Sequence, residues 1–115
     1  MLAVKRRWHV LREGDGVTLY RQSPPRFDFV VQTQLPSGDA LRLANQIRQD
    51  VWRALQTVRG FSPVIRLRRV EDGWAVEAGG RAAGSVPNTV IARVDAVLND
   101  PSNRARWMRI AGGAR

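Results

Sequence analysis

Hydrophobic and polar residues alternate along the first third of the chain, switch to helical spacing, return to alternation, and finish at helical spacing again. Val4 to Leu11 sets Val4, Trp8 and Val10 on one face of a strand and Lys5, Arg7 and His9 on the other. Glu13-Gly14-Asp15-Gly16 is a turn signal, and the β-branched and aromatic run Val17 to Tyr20 completes a hairpin. Ser23-Pro24-Pro25 breaks the pattern. From Phe27 to Leu35 the alternation is clearest: Phe27, Phe29, Val31, Thr33 and Leu35 share one face, and Asp28, Gln32 and Gln34 the other.

The period then changes. Leu41, Ala44, Ile47, Val51, Leu55 and Val58 recur every three or four residues, so one wide apolar stripe runs along a helix. Ser37 or Asp39 caps its start, and Gly60 closes it. Val64 to Val70 and Trp74 to Ala78 flank Glu71-Asp72-Gly73 as a second hairpin, whose glycine suits a left-handed turn position. Gly79 to Gly84 reads as a flexible joint. Pro87 lies in the first turn of a second helix, buried through Val90, Ile91, Val94, Val97 and Leu98. Asp100-Pro101 opens a last helix that runs through Arg109. The order is ββ-β-α-ββ-α-α without strict alternation. The expected fold is therefore α+β: a mainly antiparallel sheet of two hairpins plus a strand, with two to three helices on one face.

At 115 residues the chain is expected to form one domain over 1–111, with 112–115 as a flexible tail. Cysteine is absent, which removes disulfides and thiol chemistry together. No apolar h-region follows Lys5-Arg6-Arg7, and no stretch approaches the ~20 apolar residues that span a bilayer, so a cytoplasmic protein without a membrane partner is expected.

Charge changes the picture most. The net charge is +9, and every basic residue except Lys5 is an arginine. Either a polyanion partner or a GC-rich coding sequence produces that excess. The charge is spread along the chain and not blocked.

Catalytic chemistry is hard to assemble from these residues. His9 is the lone histidine, the carboxylates are scattered singly, and no DxD, HxxxH or ExxH spacing occurs. The Gly79–Gly84 loop precedes a helix but lacks the endings of phosphate-cradling motifs. No enzyme activity, metal or cofactor is expected.

Binding has better candidates. Opposite the apolar stripe of the long helix stand Arg42, Asn45, Gln46, Gln49, Arg53 and Gln56, with Trp52 at the boundary one turn from Arg48. Amides and arginines are the side chains whose forks match base edges. Arg104, Arg106 and Arg109 surround Trp107 on the last helix, where they either grip phosphates or stay solvated while Trp107 and Ile110 dock the helix. Arg66 and Arg68 share a strand face, beside Arg69. Trp8 and Trp74 are expected in the core, and Trp52 at its edge. The expected function is a non-enzymatic binding module for DNA or RNA that uses Arg42, Asn45, Arg48, Gln49, Trp52, Arg53, Arg104, Arg106 and Arg109. The alternative is a protein–protein adaptor or assembly subunit docking an acidic partner.

Gln46-Ile47-Arg48-Gln49-Asp50-Val51-Trp52-Arg53, Arg59-Gly60-Phe61-Ser62-Pro63 and Ala78-Gly79-Gly80 resemble short uncharacterised proteins of high-GC alphaproteobacterial type. That resemblance implies a domain of unknown function and brings no functional residue with it.

Overall fold

Burial decides which residues form each layer. The computed structural model describes residues 8–112. The proposed strand residues Val4, Lys5 and Arg7, and the tail from 113, lie outside them. Strands β1 (His9–Glu13) and β2 (Gly16–Tyr20) form the first hairpin, followed by β3 (Phe29–Pro36) and helix α1 (Ala40–Leu55). Strands β4 (Ser62–Val70) and β5 (Gly73–Arg81) form the second hairpin, before α2 (Asn88–Asn99) and α3 (Pro101–Ala111). The five strands make one sheet in the order β1-β2-β4-β5-β3, antiparallel throughout.

Register places the apolar set of every inner strand on one side. Leu19, Ile65, Ala78 and Val31 stand in one cross-strand row, and Val17, Leu67, Val76 and Thr33 in the next. The helices cover that side. Leu43, Ala44, Ile47, Val51 and Leu55 of α1, Val90, Val94 and Leu98 of α2, and Trp107 and Ala111 of α3 join the same core. Each large aliphatic side chain so buried contributes roughly 1.5–3 kcal/mol over an exposed one. The other face of the sheet is polar. Its central rows read Leu11–Thr18–Arg66–Glu77–Gln32 and Arg68–Ala75–Gln34.

The segment from β2 to β3 must pass the ends of β4 and β5 to reach the far edge. Phe27 lies against the Arg66 guanidinium, 5.5 Å away, on the face opposite the helices. Asp28 accepts hydrogen bonds from Arg26 and from the backbone N–H of Ala82, which pins the crossover to the end of β5.

Several local expectations change. Asp39, not Ser37, caps α1 by accepting from the Arg42 N–H. The helix ends at Leu55, and Gly60 (φ +68°) falls in the following turn, where the chain reverses into β4. Gly79 and Gly80 belong to β5 and form no joint. A Cβ on either would overlap a carbonyl of the neighbouring strand, Phe29 for Gly79 and Ser62 for Gly80. Gly73 is likewise held by close approach to Leu35 and Pro36, at φ +156°, and not by a left-handed turn. Pro87 is the N-cap of α2, one residue before the helix. The last helix runs two residues past Arg109 and ends on Gly112 in the left-handed conformation. Trp74 is in the core as expected, whereas Trp8 is half-buried against it.

Candidate nucleic-acid interface

The polar side of α1 follows from its stripe: with Leu43, Ala44, Ile47, Val51 and Leu55 turned inward, the opposite positions must face out. Arg42, Gln49 and Arg53 are all exposed and fall within about 40° of one another along this crest at 100° per residue. Asn45 and Gln46 sit beside it, half-buried. The Asn45 amide donates to the Leu41 carbonyl at 3.2 Å and accepts from Arg48 at 3.2 Å, so it is engaged within the helix.

The two flanks of the crest differ. On one, the Arg48 guanidinium lies 4.6 Å from the centroid of the Trp8 ring, and burial there pushes its pKa below the ordinary value. Trp52, half-buried on the same flank, stacks on Phe61 at 6.0 Å with planes 9° apart. Both aromatic contacts are internal.

On the other flank lies α3. Its Ala111 carbonyl accepts from the Asp39 N–H, and its middle meets Asp50, so the two helices run side by side in opposite directions. Asp50 is a buried carboxylate. Its Oδ2 accepts from Trp107 Nε1 at 2.7 Å and from Arg106 at 2.5 Å, while Arg53 comes within 3.5 Å of Oδ1. Arg106 also bonds the Asn103 side chain at 3.0 Å. Trp107 is fully buried, so it docks the helix, whereas Ile110 remains 41% exposed. Arg109 is exposed one turn beyond Arg106.

The sequence candidates therefore divide. Arg53 and Arg106 meet at Asp50, while Arg42 and Gln49 are exposed on α1 and Arg109 on α3. Arg104 does not join them. Its guanidinium turns to the sheet edge, donating to Thr33 Oγ1 at 3.1 Å, the Leu98 carbonyl at 2.9 Å and the Gln34 carbonyl at 2.5 Å. Arg48, Asn45 and Trp52 are committed to internal contacts on the far flank. Arg66 and Arg68 do lie on the open face of the sheet, where Arg66 pairs with Glu77 at 3.3 Å. Asp50 is the residue sequence reasoning missed. Its position three before Arg53 was visible, but its partners on α3 are 56 and 57 residues away.

Among the described residues, no group of three or more His, Cys, Asp or Glu side chains is placed to hold a metal ion, and no helix is long and apolar enough to cross a membrane. No family model, curated protein or solved structure matches the chain.

Proposed function

We propose that this chain is a non-enzymatic module that binds nucleic acid through the joint surface of α1 and α3. The observation that carries the reading is the convergence of Arg53 and Arg106 on Asp50. Two guanidinium groups share one buried carboxylate, which leaves positive charge uncompensated at the seam between the helices. Arg42 and Arg109 extend it along both helices, and Gln49, exposed between Arg42 and Arg53 along α1, offers an amide to a base edge or a phosphate. Asp39 offsets part of the charge at one end while its carboxylate is held as the helix cap. The lone histidine, His9, lies 5.1 Å from the Tyr20 ring, tilted by 31°, on the edge strand β1.

The adaptor alternative asks for an apolar patch around Trp52. Among the described residues, the large exposed apolar ones are instead Val10, Leu11, Val30 and Ile110, on β1, β3 and the end of α3. The charged helix pair therefore favours a polyanion over an apolar docking surface.

Titration against short DNA and RNA at low salt tests the reading. Binding is expected to weaken steeply as salt rises. Replacing Arg42, Arg53 and Arg109 with Ala should flatten the slope of log affinity against log salt by about 2–3 units. These three are exposed, so the fold should hold. An unchanged slope would return the charge to codon composition and the function to the adaptor reading.

A further inference from the structure

The two edges of the sheet are treated differently. Along β3, Arg104 occupies the Gln34 carbonyl and α2 packs on the strand. At the other edge, among the described residues, β1 pairs with β2 on one side and all five of its residues are exposed. Exposed edges template pairing with another strand, and they are commonly blunted by Lys, Pro or a bulge. The strand His9-Val10-Leu11-Arg12-Glu13 has no Pro, and its charges Arg12 and Glu13 lie toward one end, while Val10 and Leu11 remain 40% and 39% exposed.

The order of residues on this edge points to its occupant. Around Leu11 the strand is complementary to its own reverse. An antiparallel copy centred there sets His9 opposite Glu13, Val10 opposite Arg12, and Leu11 opposite itself. His9 and Glu13 lie on the open face with Leu11, as their pairing with Tyr20, Gly16 and Thr18 requires. An imidazole N–H would donate to the facing carboxylate twice, once on each side of the two-fold axis. On the helix side, the aliphatic stem of Arg12 would cover the facing Val10. This register satisfies the backbone whichever residues turn their N–H and C=O outward, because both sets are symmetric about Leu11.

We propose that the partner of β1 is a second copy of this chain, joined through an antiparallel β1–β1 ladder with its two-fold axis at Leu11. The two sheets become one of ten strands, with both helix layers on the same side. A five-residue ladder buries far less than the roughly 1,200–2,000 Å² of a tight interface, so the dimer is weak and forms with rising concentration. Each copy carries +9, so salt should strengthen it by screening repulsion. That is opposite to the salt dependence of nucleic-acid binding, and the two readings stand or fall separately.

Sedimentation equilibrium of the full chain, without nucleic acid, tests the proposal between about 10 µM and about 1 mM protein. A monomer–dimer equilibrium is expected, with association tightening about threefold or more from low to high salt. Leu11→Lys sets two ammonium groups against each other on the axis and should weaken association about tenfold, with an unchanged circular dichroism spectrum because the residue is exposed. Glu13→Lys should weaken it as well, and adding His9→Glu to that variant should restore it by reversing the pair. A chain that stays monomeric at every concentration and salt overturns the proposal, as does a dimer indifferent to Leu11→Lys and to the exchange.

Discussion

Asp50 serves two ends that pull against each other. Its carboxylate satisfies the buried Trp107 N–H and holds Arg106, and in doing so cancels charge at the surface proposed to bind nucleic acid. Asp50→Asn keeps a carbonyl acceptor for Trp107 and Arg106, but it removes the negative charge shared by two guanidinium groups and turns the amide NH2 toward Arg53. We expect a loss of about 1–3 kcal/mol in denaturant unfolding, together with tighter low-salt binding to DNA or RNA. Weaker binding by the folded variant would count against the α1–α3 surface. Asp28 shows the same economy at the crossover. Hydrogen bonding from Arg26, and then from the Ala82 N–H, holds its carboxyl below the usual range. A lowered folded-state value means that its contribution is present above the ordinary carboxylate value and is lost as pH falls through the lowered one. Asp28→Asn should therefore lower the melting temperature at pH 7, and the difference from the parent should shrink as pH falls below the ordinary carboxylate value.

At the scale of elements, the packing of β5 between β3 and β4 depends on missing side chains. Gly79 and Gly80 let the carbonyls of Phe29 and Ser62 approach so closely that a methyl group has no room. Gly80→Ala should destabilise the domain by about 2–4 kcal/mol. Gly84→Ala, in open space at φ +75°, should cost only about 1 kcal/mol. Comparable losses in equilibrium unfolding would mean that the close approach is not what the glycine provides. These residues also mark where sequence reading stops. The hairpins and the stripe of α1 are legible because burial on one face imposes a period of two or of 3.6 on neighbouring residues. The Gly79-Gly80 pair looks like a hinge in sequence, since what excludes a side chain comes from strands β3 and β4 and not from the pair's own neighbours. Arg104 and Arg106 look alike for the same reason. Two residues apart on a helix they point about 200° apart, one to the sheet edge and one to Asp50. Nothing local tells which of them stays available to a ligand.

At the scale of the whole molecule, the strand order carries a consequence for how the chain reaches this state. The β1–β2 and β4–β5 hairpins close over short stretches, whereas β2 meets β4 only across α1, and β3 meets β5 across a separation of 43 residues, as in Thr33 with Val76. Loop closure of that kind comes late unless a local unit is already there to receive it. The β4–β5 hairpin, with α1 laid across it, is the unit that touches both, and the far-edge strand adds to it afterwards. Folding should thus start in the second half of the chain, although β3 is synthesised first. Val76→Ala, in the buried face of that hairpin, should slow refolding. Val31→Ala on β3 should mainly speed unfolding, and paired chevron plots would show the division. If Val31 governed the refolding rate instead, the edge would be the nucleus and the order of events would run the other way.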